Sequence, residues 1–478
     1  MQQQTPSQDR PIQVVFIDHS YLHLIGWAEK FAKTVAGIQV ILVTDKSASR
    51  VDGNLEVINV RDVAQNLDLD ALQEKLNFSL YRSLITERAY FDYTSFTKRE
   101  CYSRLNMDQI DALIRPHVNA LDEVIRTRAD LVLGYVADNT IASLAAHIAE
   151  YYGKPFAASS PSYWYADGYA FRDRTDQTSS QVDALYHRYY ANQSSINRAA
   201  IQELYSIKRV THQFSDTVVY ALGPRLRKII GSRHWHDPFS PVNWLARRFC
   251  RAISRIMTAW FIRVLPDVPD GKRYVLFPLH VAPEASLLGS MPELADQFSL
   301  IKNISINLPW GVRLCVKKHP EQHKLTGPSY DFYRKLAALK NVDVIDAKAP
   351  TGRMLSDPNC IAVATINGTV GLEAAFKRKP VFVFGRAMYG VADCFFKPTN
   401  FDEFREQIMA VYKGQFQFNE GAMWSIFAAL NAAIWRCDVE FARAKNREEA
   451  TLQSISVFER YIRSDTWRKS ASAQSKTA

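Results

Sequence analysis

Cysteine is scarce in this 478-residue chain and never paired in a metal or redox motif. The six cysteines (Cys101, Cys250, Cys315, Cys360, Cys394, Cys437) include no Cys-x-x-Cys, which argues against a zinc site or a disulfide framework. That usage fits a reducing cytoplasm. No uninterrupted apolar run reaches the roughly 20 residues that a membrane span needs. Residues 1–10 are polar and lack an apolar signal-peptide core, so the expected location is cytoplasmic. There is no GxGxxG and no Walker motif, so neither a dinucleotide enzyme nor a P-loop NTPase is indicated. No helix-turn-helix, zinc finger or RNP-type aromatic motif is present, and nucleic acid is not an expected partner.

Positive charge is abundant and unevenly spread. The net charge is +10, and residues 188–263 alone hold thirteen Lys/Arg against three Asp/Glu. Such a region suits a membrane surface or an anionic polymer. Within it, residues 243–264 carry Trp244, Leu245, Phe249, Ile253, Ile256, Trp260 and Phe261 at helical spacing, with Arg247, Arg248, Arg251 and Arg255 mostly on the other side. A basic amphipathic helix with tryptophans at its ends suits a membrane interface or an acceptor surface. A helix packed on its domain with a solvated arginine face gives the same pattern.

The rest of the chain alternates apolar strands with amphipathic helices, which implies α/β architecture with parallel sheets. Strands are expected at 14–18, 39–44, 130–135 and from 155. Helices are expected at 21–35, at 108–128 with a kink or restart at Pro116, and from a cap at 138–140 to Gly153. Asp18 stands at the first strand's carboxyl end. It reads either as an acceptor-contacting base or as a helix cap. Residues 67–107, rich in Tyr, Phe and Arg, read as a sugar-stacking groove or as ordinary helix packing. Residues 162–173 read as loop. A Pro/Gly/Asp linker at 266–271 opens a second α/β domain.

That domain carries the strongest constellation. Residues 360–364 form a short buried strand, followed by Asn367-Gly368-Thr369, a helix, Lys377-Arg378-Lys379 and a further strand from Val381. A strand, a small-residue turn and a helix start make an anion site, with Thr369 placed to cap and Glu373 one turn on to accept ribose hydroxyls. A plain capped β-turn-α unit also fits. Another strand, 312–316, ends in Lys317-Lys318-His319-Pro320. Pro320 holds His319 extended, aimed off the strand end where ligands of open sheets collect. No Asp-x-Asp stands at a strand end, so no metal is expected. Tyr389 and Asp393, after the last strand, are placed to close over a nucleotide base.

With these residues in view, this half resembles the capsule polysaccharide biosynthesis family, whose members are similar to Kdo transferases and other GT-B glycosyltransferases. The matching residues are Phe277-Pro278-Leu279-His280-Val281-Ala282-Pro283-Glu284-Ala285, then residues 316–320, then 366–375, in the family's order. Where the family often has Gln, this chain has His280 and Ala282. The His-Pro followed by a Ser/Thr-rich turn also resembles bacterial sialyltransferases and CDP-glycerol-using polymerases, which share cytidine donors.

The resemblance implies a GT-B-like fold of two Rossmann-like domains facing a cleft, with a basic helical insertion and C-terminal helices. The expected boundaries are 1–160 for the acceptor domain, 161–270 for the insertion, 271–415 for the nucleotide-sugar domain, 416–467 for the helices and 468–478 for a disordered tail. Lys318, His319, Pro320, Thr365, Asn367, Gly368, Thr369 and Glu373 are expected to hold the donor. Glu284, with Asp18, is the expected catalytic carboxylate, although a Glu after proline is also a common helix start. The expected reaction transfers a sugar, Kdo from CMP-Kdo first, to a glycan or lipid-linked acceptor at the inner membrane face, without a further cofactor. A CDP-glycerol phosphotransferase, a UDP-sugar 2-epimerase and a non-catalytic export partner remain open alternatives.

Overall fold

The computed structural model describes residues 10–18, 24–44, 49–63, 69–76, 79–80, 107–134, 140–161, 168–176, 178–206, 249, 252–254, 256–268, 271–280, 287, 291–320, 328–437 and 447–468. The described residues up to 181 and from 432 onward form one compact unit, and those between 182 and 431 form a second. The fold is α/β in both. The expected terminal tail, 469–478, and most of the aromatic stretch at 67–107 lie outside the described residues.

The first unit runs β1 (Ile12–Ile17), α1 (Ile25–Thr34), β2 (Ile38–Thr44), β3 (Arg50–Asp52), β4 (Leu55–Asn59), α2 (Leu69–Lys75), α3 (Met107–Arg128), β5 (Leu131–Gly134), α4 (Thr140–Tyr151), β6 (Phe156–Pro161) and β7 (Gly168–Arg172). Its central strands are apolar throughout because helices cover both faces of a parallel sheet. The expected break at Pro116 does not occur: α3 is continuous across it. Val118, Leu121 and Ile125 are buried, and their tertiary packing outweighs the lost backbone bond. Residues 168–172 are not loop. Their aromatics are core side chains of a strand antiparallel to β6, with Tyr169 and Phe171 buried.

The second unit holds the body of α5 (Ser180–Ala191), then α6 (Arg198–Ser206), β8 (Tyr274–Pro278), α7 (Gln297–Ile306), β9 (Arg313–Lys317), α8 (Tyr330–Ala338), β10 (Val342–Ile345), α9 (Thr351–Ser356), β11 (Cys360–Thr365), α10 (Val370–Phe376), β12 (Val381–Val383), α11 (Phe401–Tyr412) and α12 (Glu420–Ala432). The chain then returns to the first unit with β13 (Trp435–Arg436) and α13 (Arg447–Arg463).

Among the described residues the first sheet has the order β13-β7-β6-β5-β1-β2-β4-β3 and the second β10-β9-β8-β11-β12. All pairings in the second sheet are parallel. Within each order lies a five-strand run in which the winding reverses, between β1 and β5 and between β8 and β11. Such reversals are where open α/β sheets bind ligands, beyond the strands' carboxyl ends.

The C-terminal helix α13 belongs to the first core. Phe458 lies within 6.1 Å, centroid to centroid, of Phe16, Trp27, Tyr169 and Phe171, and Tyr461 stacks on Phe171 at 3.7 Å. Phe458→Ala is therefore expected to destabilise by about 3–5 kcal/mol, the usual cost of emptying an aromatic core position. Arg405→Ala, whose pair with Asp402 is at the surface, is expected to change stability by less than about 1 kcal/mol. Denaturant midpoints of the two variants check the contrast.

Candidate functional site

Strand register fixes what stands at the reversal point of the second sheet. Leu276 of β8 pairs with Val363 on one side and Cys315 on the other, and Pro278 pairs with Lys317. Side chains alternate between sheet faces. Leu314, Val316 and Lys318 therefore share the face packed by Leu300, Tyr333 and Phe404 of α7, α8 and α11. Cys315, Lys317, Val363 and Thr365 share the other. On that face Tyr274 reaches α9, its hydroxyl donating to the Met354 carbonyl at 2.9 Å.

The turn after β11 is built from beneath. Thr365 Oγ1 accepts from Gly368 N at 3.1 Å and lies 3.5 Å from His280 Nε2. His280, at the end of β8, is buried and held by Gln297, which accepts from its N at 2.9 Å and donates to its O at 3.3 Å. The Tyr389 hydroxyl donates to Gly368 O at 2.6 Å. Burial pushes the Tyr389 phenol far above its ordinary value, so it stays a donor through neutral pH. Gly371 makes room for it: a Cβ there would stand 2.5 Å from the hydroxyl oxygen. Next to the turn, Phe384 N and Gly385 N donate to the carbonyls of Thr365 and Ile366, both at 2.9 Å.

Two expectations about this region change. Thr369 occupies the N-cap position of α10 but makes no side-chain cap bond. Its φ of −63° and ψ of −16° are already helical, whereas a capping oxygen reaches back from an extended residue. Tyr389 does not stand over a ligand; it is buried below the turn. Asp393 is engaged with α5: its N donates to the Tyr186 hydroxyl at 3.1 Å, and that hydroxyl donates to its carboxylate at 3.3 Å.

The helix α10 then closes by a Schellman motif. Arg378 N donates to Ala375 O at 2.8 Å and Lys379 N to Ala374 O at 3.0 Å. Arg378 takes the left-handed position, at φ 56°, usually given to glycine. The basic trio that follows α10 is engaged: Lys377 donates to Ser356, Arg378 to Glu420, and Lys379 to the Asp357 and Cys360 carbonyls.

The two lysines of β9 separate. Lys318 lies with its amine 4.9 Å from the centre of the Tyr333 ring, on the α8 side. Lys317 is only 3% exposed and donates to Ala347 O at 2.8 Å. Burial lowers its pKa, while Asp346 and then Glu373 pull it back up. Thr365, Gly368 and His280, in contact with one another, stand at the same sheet edge as the end of β9 that carries Lys317. His319 is half-buried one residue beyond Lys318, and Pro320 is exposed. Asn367 is half-buried in the turn.

Asp18 is elsewhere, at the end of β1 in the first unit. It is 1% exposed, and its carboxylate accepts from Thr44 Oγ1 at 2.9 Å and Leu24 N at 3.1 Å. It fastens the strand end to β2 and to the start of α1. Glu284, Trp244, Arg247, Arg248, Arg251 and Arg255 lie outside the described residues; Trp260 is described and highly exposed. The sequence reasoning passed over His280 and Gln297 as site residues, and of the two lysines that end β9 it kept Lys318, not Lys317, for the donor. Counting alternation from Cys315 would have found Lys317.

Lys317→Met tests the buried amine. Because its folded pKa is below the ordinary 10.5, the unfolded chain holds more protons between those two values. Wild-type stability relative to the variant should rise with pH across that window and be lowest below it. Urea unfolding at neutral and at alkaline pH checks the sign. For the turn, Tyr389→Phe should cost about 1 kcal/mol. Combined with Gly371→Ala it should be less than additive by about 0.5–3 kcal/mol, since both disturb one bond. A double-mutant cycle in denaturant reads this.

Comparison with known proteins follows the same stretch. Residues 196–394 match the family described as capsule polysaccharide biosynthesis protein. No curated protein matches the chain in sequence. Among solved structures, the chain is similar to Thermosulfurimonas dismutans KpsC, beta Kdo 2,4 transferase, at 17% identity and TM-score 0.32, covering 63% of this chain and 79% of that one. It is similar to the same organism's KpsC, beta Kdo 2,7 transferase, at 11% identity and TM-score 0.35, covering 74% and 98%. A UDP-GlcNAc 2-epimerase from Neisseria meningitidis follows at 14% identity and TM-score 0.24, covering 88% and 98%. Scores this low carry no argument about activity. The family match falls on the segment that holds β8 to β12 and the turn.

Proposed function

We propose that the chain is a glycosyltransferase of bacterial capsule or lipopolysaccharide biosynthesis, using a nucleotide sugar, CMP-Kdo first, and a glycan or lipid-linked glycan acceptor. The observation that carries this reading is the burial of Lys317 at a strand end beside a rigid turn at the reversal point of a parallel sheet. A cation held in a low-dielectric site stabilises a leaving phosphate more than one in water does. His319 and the Asn367-Gly368-Thr369 turn supply further donors, and Glu373 the ribose contact. Lys318, cation-stacked on Tyr333, supports the strand end from the other face.

In this reading the acceptor hydroxyl attacks the anomeric carbon as the sugar–phosphate bond breaks. CMP leaves with the bonding electrons. Glu284 takes the acceptor's proton, or in a double displacement attacks the carbon first. The protein works at the cytoplasmic face of the membrane, needing neither metal nor further cofactor.

A thermal-shift panel of CMP, CDP, UDP, GDP and ADP tests the donor. A ligand at a hundredfold excess over its Kd stabilises by about 2.7 kcal/mol. CMP is expected to raise Tm and His319→Ala to abolish the rise. Glu284→Gln should keep the CMP response and lose transfer. A UDP preference moves the reading to a UDP-sugar transferase or 2-epimerase, and a CDP preference to a CDP-glycerol enzyme. Silence from every nucleotide overturns the site and favours a non-catalytic export partner.

A further inference from the structure

The helix preceding the second sheet is turned the wrong way round for a soluble surface. Residues 249, 252–254 and 256–261 are helical. Its buried stripe is small and mostly polar: Ser254, Thr258 and Ile262, four residues apart. Ser254 Oγ accepts from Tyr330 N at 2.8 Å, and this anchors the helix to α8. The large apolar side chains face water instead, with Phe249 67%, Ile256 59%, Trp260 81% and Phe261 68% exposed. Phe249, Ile256 and Trp260 are seven and four residues apart and fall on one face. Contiguous exposed apolar side chains of this size mark an interaction surface.

We infer that this face inserts into the interface of an anionic lipid bilayer. Residues 243–264 contain five arginines and no Asp or Glu, the charge complement of acidic headgroups. Trp and Phe are the side chains that settle at headgroup level. A second copy of the chain is a poorer occupant, because a two-fold contact sets the same arginine-rich segment against itself. The position suits a membrane-bound acceptor. Tyr330 opens α8 on the crossover from β9 to β10. Leu265, just past the helix, exchanges backbone bonds with Val344 and Asp346 at the end of β10, both at 2.8 Å. The exposed face therefore stands at the carboxyl edge of the sheet, the edge that carries His280, His319 and the turn. Among the described residues no helix is long and apolar enough to cross a membrane, so contact here is interfacial.

The test is sedimentation of the full chain with vesicles of phosphatidylglycerol and phosphatidylcholine in equal parts, against phosphatidylcholine alone, without nucleotide. Wild type is expected to bind the anionic vesicles. Ile256→Ser with Trp260→Ser is expected to partition at least about tenfold more weakly, while an unchanged unfolding curve shows the fold intact. Trp260→Phe should retain most binding. Three results overturn the inference: wild type left in the supernatant, equal binding by wild type and the double variant, or a wild-type dimer that the double variant dissociates without any vesicle binding. None depends on which donor the site takes.

Discussion

The second unit turns on one hydrogen bond that runs from the interior to the ligand edge, Tyr389 Oη to Gly368 O. A sharp turn at the end of a central strand removes backbone groups from the ladder, and buried ones need partners. Tyr389 satisfies the carbonyl, and Thr365 the amide of the same residue. The consequences spread outward. Gly371 must lack a side chain for Tyr389 to fit, Gly368 leaves only 3.4 Å between its missing Cβ and the His280 ring, and Gln297 must hold His280 in place. Four elements, β8, α7, β11 and the segment after β12, are thereby tied to one loop conformation.

A rigid turn gives the electrostatics a fixed frame. Adjacent lysines on a strand point to opposite faces, and only one of the pair shares the face of Thr365. Lys317 is the costlier placement, since burial disfavours its charge. It donates to a neutral carbonyl, while Asp346 and Glu373 act on it through space. An anion arriving at the strand ends would raise the Lys317 pKa again. Binding a phosphate there would thus be linked to proton uptake at pH values near the lowered pKa, a coupling that exposed Lys or Arg would not show.

The parts of this arrangement legible in sequence were those set by short-range chemistry. Unbroken apolar runs located β1, β2, β5, β9, β11 and β12 to within about two residues, because strands buried on both faces have little alternative. What escaped depended on distant contacts. β7 looked like loop because the packing that makes Tyr169 and Phe171 core residues comes from α13, near the other end of the chain. β3 is exposed along its length and carries no burial pattern. Pro116 signalled a break that core packing suppressed. At the site, the turn and the His-Pro were visible as motifs, but the partners below them were not. Tyr389 read as a lid because its phenol, placed after a strand, gives no hint that a glycine eighteen positions earlier, Gly371, opens a socket for it.

The two winding reversals show why the same topology need not give the same chemistry. At the first, β1 ends in Asp18, a carboxylate whose oxygens accept from a hydroxyl and a backbone amide of its own unit. Those bonds make it a structural tie. At the second, β8, β9 and β11 end in His280, Lys317 and a turn whose amide and carbonyl are both held from below. The held groups fix the geometry, and the buried lysine supplies a charge that the protein alone compensates through space. An anionic ligand would be stabilised at the second reversal by that cation, whereas at the first it would meet the Asp18 carboxylate. The residues at the strand ends, more than the shared winding, therefore decide which of the two reversals suits an anion.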